Sequence, residues 1–384
     1  MVLVTGLGAV TALGASLPLT WERLLAGKSG LSQRQPFPEL PELPLGMVGH
    51  YPQSVGNLLA PAVAEAISDA GLVPPLLDCG VVIGSSRSFQ GVWESWAKDW
   101  LTMAALPPGE PWLGALPHMA AVTTARQLGA TGPVLAPMAA CATGLLAIAQ
   151  GCSLIRRGQC AQVLVGAVEA PITALTLAGF QQLGALATTG CYPFSATREG
   201  LVLGEGAAIL VLESEEALRQ RSGVEPYGQI LGDGFSTDAY HRTAPDPRQG
   251  GSRAALKACL HRSGLMPHQV DYVHAHGTAT QLNDAHEARL ISQELSHLPA
   301  VSSTKAATGH TLGASGALGA AFCLLALRHQ WLPPNTGQVG QGIYPSLVPE
   351  SRSARINAAL CLSFGFGGQN AALAMGRHPT SEQG

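Results

Sequence analysis

Short apolar, β-branched runs alternate along the chain with longer segments whose apolar residues recur at helical spacing. Residues 2–5 (VLVT) and 80–84 (GVVIG) read as strands that run into glycine. Between them, Leu59, Ala62, Val63, Ala66, Ile67 and Ala70 share one face of a helix over 57–70, and Gly71 is placed to stop it. Residues 163–166 (VLVG) and 207–212 (AAILVL) are apolar on both faces, as central strands are. Strands alternating with helices predict an α/β layered architecture.

The pattern occurs twice. Residues 134–158 run strand, turn, Cys141, then an apolar helix ending at Gly158. Residues 300–330 run strand, Lys305, His310, then a helix of small residues. An apolar strand ending in glycine-rich or acidic residues follows each, at 163–169 and 358–368. The reading is a duplicated fold, with an N-terminal half over 1–225 and a C-terminal half over 226–384 that meet at the polar stretch 213–226. Proline-rich loops are expected at 36–52 and 104–117, and a frayed end at 378–384.

Composition narrows the class. Of 384 residues, 46% are hydrophobic and only 12% charged, with 46 glycines. A disordered chain needs the opposite balance, and a coiled coil needs dense charged heptads. Net charge is −3 and the four lysines and eighteen arginines are scattered, so no basic stripe offers itself to nucleic acid or to a membrane surface. Residues 127–155 and 170–197 hold no charged residue, yet glycines, prolines, glutamines and threonines interrupt both, which points to buried elements of a large core rather than membrane spans. The start, MVLVTGLGAV, has no basic leader and reads as a buried strand rather than a signal peptide. Eight cysteines (79, 141, 152, 160, 191, 259, 323, 361) form no CxxC pair, which predicts reduced thiols and a cytoplasmic location.

Four segments could carry chemistry. In PMAACATGLLAIAQG (137–151) a cysteine sits where a strand turns into a helix. Unpaired N–H groups at a helix start would stabilise a thiolate, lower the pKa of Cys141 and later hold an oxyanion. In VHAHGTATQLNDAHE (273–287), His274 and His276 lie two apart on a strand, and Asn283 is a candidate N-cap for a helix carrying Asp284, His286 and Glu287. Two readings stay open there: a metal site of His274, His276, Asp284 and His286, or one histidine working on substrate at a loop. In SSTKAATGHTLGASG (302–316), Lys305 and His310 flank a glycine-rich helix start, where a neutral imidazole could donate to an enolate oxygen. In LSFGFGGQN (362–370), three glycines and two phenylalanines let the backbone approach a ligand closely, or simply make a β-turn. The N-terminal GLGAVTALG lacks the third glycine of a dinucleotide fingerprint.

Taken together these segments resemble the elongating β-ketoacyl-ACP synthases, the decarboxylating condensing enzymes of the thiolase superfamily. VTGLGAVTALG, CATG, PFSATREGLVLGEGAA, DAYHRTAPDP, HGTATQLNDAHE, STKAATGHTLGASG and SFGFGGQN follow the family's order almost end to end. The resemblance implies a thiolase-like fold of duplicated halves in five α-β-α-β-α layers. It implies Cys141 as the nucleophile, His276 and His310 as its two histidines, Lys305 hydrogen-bonding within the centre and Glu287 as the supporting carboxylate. Thr278 and Thr280 would hold the phosphopantetheine arm, and the N–H groups of Phe366, the gate, and Cys141 would form the oxyanion hole. The implied reaction joins malonyl-ACP to an acyl group on Cys141 with loss of CO₂, without metal or redox cofactor; 4′-phosphopantetheine arrives on the carrier protein. The implied partners are acyl carrier protein and a second synthase chain, as homodimer or heterodimer. A non-condensing acyl-binding partner of a ketosynthase is the alternative.

The segment 86–118, which shapes acyl pocket and dimer in the family, departs from the family pattern; so does 184–193, which is shortened, and GGQN stands for GGTN. Basic residues for carrier docking are missing near 53–64 and 104–117, which leaves Arg156, Arg157 and Arg198 as substitutes.

Overall fold

A computed structural model describes residues 1–103, 112–221, 223–337 and 341–378. Residues 104–111 of the expected proline-rich loop, and 379–384 of the expected frayed end, lie outside the described residues.

Ten strands form one large sheet. Five are β1 (Val2–Thr11), β2 (Gly80–Gly84), β3 (Val134–Leu135), β4 (Gln162–Glu169) and β5 (Gly206–Ser214). Five more are β6 (Gly228–Thr237), β7 (Tyr272–His274), β8 (Ala300–Ser302), β9 (Ala358–Gly365) and β10 (Gln369–Gly376). Their order is β8-β7-β9-β10-β6-β1-β5-β4-β2-β3. Read outward from the centre, each set of five runs first, fifth, fourth, second, third. The directions repeat too: antiparallel at the two inner pairings and parallel at the two outer ones. The sets join only at Leu3–Gln229 and Val4–Gly228 of β1 and β6.

Among the described residues, the helices of ten or more residues are α1 (Val55–Asp69), α2 (Gln90–Met103), α3 (Met119–Leu128), α4 (Thr143–Arg156), α5 (Gly250–Ser263), α6 (Gln281–Glu294) and α7 (Ser315–His329). Helices α1 and α3 cover the outer face of the first set, and α5 and α6 the outer face of the second. Helices α4 and α7 pack against each other between the inner faces. The result is five layers, α-β-α-β-α.

Local chemistry explains these elements. Helix α1 is capped by Ser54, whose Oγ accepts from Asn57 N, and begins at Val55, two residues before the predicted start. In α7 every residue from Ser315 to Leu327 is buried, because the central layer touches protein on all sides. Small residues make this possible: a Cβ at Gly144 of α4 would lie 2.5 Å from Ala317 N. The stretch Leu312–His329 is long and apolar enough to cross a membrane, and 89% of it is buried inside the protein. One prediction shifts. Helix α6 is capped at Thr280, so Asn283 lies inside the first turn instead of capping it.

Candidate active site

The site forms where the starts of the two central helices meet loops from the C-terminal ends of the parallel strands. Cys141 lies between β3 and α4, directly after Ala140, whose φ of 47° is left-handed. Thr143 locks this corner: its Oγ1 donates to Ala140 O and accepts from Ala139 N. Ser363 Oγ of β9 donates to Cys141 O at 2.8 Å, tying the corner to the other half of the fold.

His276 follows β7, and its backbone is clamped from two sides. Its N–H and that of Gly277 donate to the two Glu287 oxygens at 2.6 and 2.7 Å, while Lys305 Nζ donates to its carbonyl. Glu287 sits on α6 and Lys305 at a helical turn after β8, so two elements set one imidazole. His310 is held by its backbone instead, N–H to Val202 O at 2.7 Å and carbonyl from Gly204 N at 3.1 Å. Cys141 and both histidines are buried, and a sulfur and two ring nitrogens lie within 4.8 Å of one another. The imidazoles stand nearly perpendicular with centroids 5.3 Å apart.

The cavity above them holds about 290 Å³ and is lined by Cys141, His276, His310, Thr278, Thr280 and Phe366 among others. Thr278 and Thr280 hydroxyls bond each other at 3.0 Å on one wall. Apolar lining is also present, with Phe180 stacked on Phe366 at 6.0 Å. Phe366 tops the hairpin between β9 and β10, and its backbone N–H faces Cys141, where it pulls the thiol pKa down against the larger effect of burial. The SFGFGGQN segment is thus both a β-turn and a close approach to the reactive atom. Gly368 makes the turn possible: its φ is +76°, and a Cβ there would meet Asp238 Cβ at 2.8 Å.

Protonation differs from the sequence expectation in one respect. Burial pushes the Cys141 thiol up to about 11, against a smaller downward pull from Lys305. The expected lowering by the helix start fails for a local reason. The N–H groups of Ala142 and Thr143 are already bonded to Ala139 O and Ala140 O, leaving them no role at the sulfur. Burial first, and the Lys305 cation second, hold both His276 and His310 well below the usual imidazole range. The resting centre is a neutral thiol facing two neutral imidazoles. Neither Nδ1 has a partner among the described residues. Burial also raises Glu287 and lowers Lys305, two ionisable groups at opposite ends of the His276 backbone.

The cluster of His274, His276, Asp284 and His286 does not converge. His274 Nε2 meets Thr304 Oγ1 at 3.1 Å, His286 Nε2 meets Ser252 Oγ at 2.9 Å, and Asp284 accepts from Phe194 N at 2.7 Å. Among the described residues, the donors close enough to surround a metal ion are Cys141, His276 and His310. The three arginines read as docking candidates have other positions. Arg198 is buried and donates to the carbonyls of Ser195, Thr280 and Gln281, which fixes the threonine loop. Arg156 ends α4, with Arg157 just beyond it, about 20 Å along the helix from Cys141.

Glu169 escaped the sequence reading. From the end of β4 its carboxylate accepts from Ser85 Oγ, from Ser86 N and Oγ, from Arg87 N and from Gly313 N, joining the loop after β2 to the segment after His310. A lone acid closing the apolar run VLVGAVE in so charge-poor a chain was the available signal.

Comparison with known proteins follows the same geometry. The family models described as β-ketoacyl synthase, N-terminal domain and C-terminal domain match residues 52–217 and 227–338. A 3-oxoacyl-[acyl-carrier-protein] synthase 2 of Staphylococcus aureus (strain N315) is 35% identical over 409 residues, covering 97% of each chain. The ishigamide ketosynthase/chain length factor superposes with a TM-score of 0.91 at 27% identity, over 98% of this chain and 99% of the other. A ketosynthase solved with its type II polyketide-synthase acyl-carrier protein, bound to the hexaketide, gives 0.91 at 28% identity over the same shares.

Proposed function

The chain belongs to the β-ketoacyl synthase family, the acyl-transferring condensing enzymes of fatty-acid or polyketide elongation, and from that membership we propose how its residues divide the reaction. One observation carries the proposal: Cys141, His276 and His310 converge within 4.8 Å at the floor of the cavity.

Cys141 takes the acyl group from acyl-ACP. The new C–S bond forms as the carrier's C–S bond breaks, and the Cys141 proton passes by way of an imidazole to the departing carrier thiol. Malonyl-ACP then enters, its pantetheine arm along Thr278 and Thr280. Loss of CO₂ leaves the enolate of the carrier-bound thioester, and neutral His276 and His310 donate to its oxygen. Each such donor supplies roughly 3 kcal/mol. The enolate carbon attacks the acyl-Cys141 carbonyl, whose oxyanion meets the N–H of Phe366 and that of Cys141. The C–S bond breaks, its electron pair leaves on the Cys141 sulfur, which takes up a proton from water by way of an imidazole, and β-ketoacyl-ACP leaves. Lys305 and Glu287 are positioning residues that hold the His276 backbone and keep its ring neutral. No step calls for a metal or redox cofactor.

Acyl carrier protein is the proposed macromolecular substrate, as in the related complex bound to the hexaketide. Arg242, Arg248 and Arg289 are exposed beside the loop 243–245 that borders the cavity mouth, and they are the proposed contacts for an acidic carrier. A second synthase chain, identical or related, is the proposed partner of β3. This strand ends the sheet with Val134 and Leu135 both 37% exposed, and an open apolar edge invites pairing. All eight cysteines are buried and free, which supports a reducing, cytoplasmic setting.

The test is incubation with acyl-ACP and malonyl-ACP. CO₂ release and β-ketoacyl product are expected from the native chain, with none from Cys141→Ala. Stoichiometric acyl-ACP binding without turnover would overturn the assignment and favour a non-condensing partner.

A further inference from the structure

Beside the cavity, against the lining residue Phe180, stands a charge that the condensation does not use. Arg87 follows β2 in the segment whose sequence departs from its family. Its backbone is fixed by Arg87 N donating to Glu169 at 2.9 Å. Its guanidinium Cζ lies 5.6 Å from the centroid of Phe180, the ring that lines the cavity and stacks on Phe366 at the Cys141 sulfur. Its charge reaches Cys141, pulling the thiol pKa downward. The guanidinium is half-buried, and its hydrogen bond is to a neutral group, Gln90 Oε1 at 3.3 Å. Among the described residues no ion pair joins it to a carboxylate. Both nearby acids are occupied, Glu94 by Gln90 Nε2, Thr173 Oγ1 and Leu175 N, and Glu169 by Ser85, Ser86, Gly313 N and the Arg87 backbone N–H.

A hydrocarbon tail lengthening from Cys141 past Phe366 and Phe180 would have to desolvate this cation with nothing in return. A tail bearing oxygen would satisfy it, since a guanidinium donates in a fixed fork to carboxylate or carbonyl oxygen. Resting on the proposed condensation, we propose that Arg87 is a specificity-determining residue that selects acyl groups carrying a hydrogen-bond-accepting oxygen toward their distal end over saturated chains of equal length. The rule it imposes is chemical rather than one of length.

The experiment loads Cys141 from synthetic pantetheine thioesters of octanoate, 8-oxo-octanoate and the monothioester of octanedioate, read by intact mass. Native protein, Arg87→Met and Arg87→Lys are compared, each rate taken relative to acetyl loading of the same protein. The native chain is expected to favour the oxygenated acyl groups by about tenfold or more. Arg87→Met should remove or reverse that preference. Arg87→Lys should keep part of it for the carboxylate, and the larger of the two oxygenated rates identifies the terminus selected. Equal or faster loading of octanoate by the native protein, or a preference that survives in Arg87→Met, overturns the proposal. Failure to load any thioester, acetyl included, would instead overturn the condensation on which it rests.

Discussion

Alkylation of Cys141 as a function of pH tests the neutral resting centre most directly. With the thiol held near 11, about one molecule in 10,000 is thiolate at pH 7. A free cysteine near 8.5 is about 3% ionised at the same pH, so Cys141 should react with iodoacetamide about 300-fold more slowly. Restricted access would slow the reaction further without moving its inflection. The rate should therefore climb about tenfold per pH unit from 7 to 10 with no plateau. Mass spectrometry of the carbamidomethylated peptide, with the other seven buried cysteines as internal controls, gives the rate at each pH. Lys305→Met removes the cation that pulls the thiol down, so its inflection should lie higher still. A plateau reached by pH 8 would refute the reasoning, because the sulfur would then be ionised despite its burial. The chemical consequence is that ionisation belongs to the loading step. The arriving thioester must find a thiol whose proton moves to an imidazole as the new bond forms.

Three further outcomes follow from the same coordinates. His276 and His310 titrate in the folded protein well below their unfolded range near 6.5, so the stability they confer is complete above that pH and is lost as pH falls. The loss should approach about 2.7 kcal/mol per pH unit for the pair, read as a falling urea midpoint between pH 6.5 and 5, and a midpoint flat over that range would contradict the assignment. Gly368→Ala places a Cβ against Asp238 at positive φ, so it should cost about 1–3 kcal/mol in denaturation and reduce acyl loading by displacing the Phe366 N–H; native loading kinetics in this variant would dissociate the hairpin from the sulfur. Leu135→Asp puts a charge on the open edge of β3 and should shift light-scattering mass toward the single chain, whereas an unchanged mass would place the interface elsewhere.

Much of the architecture was legible in the chain because periodicity is a local property. The alternation of strands and helices, the small-residue helix after His310 and the corner at Cys141 each announce themselves within about fifteen residues. The order of ordered blocks carried Cys141, His276, Lys305 and His310 together through resemblance, before any distance between them was known. Asn283 shows the limit of local reading: a residue suited to capping lies one turn inside α6, because the Thr278–Thr280 loop enters the helix earlier. Arg198 shows it again, since an arginine that reads as a carrier-docking candidate is consumed by the carbonyls of Ser195, Thr280 and Gln281.

Sequence by itself determined the layered fold and its repeat, since those depend on residue type and near spacing, and through resemblance it supplied the candidate groups of the site. Only the tertiary structure decided their electrical state and their surroundings. Burial is a property of the whole packing, and it turned the anticipated thiolate into a thiol. Glu169 and Arg87, neither assigned a role from the chain, acquired their places because Gly80–Gly84 lies side by side with Gln162–Glu169.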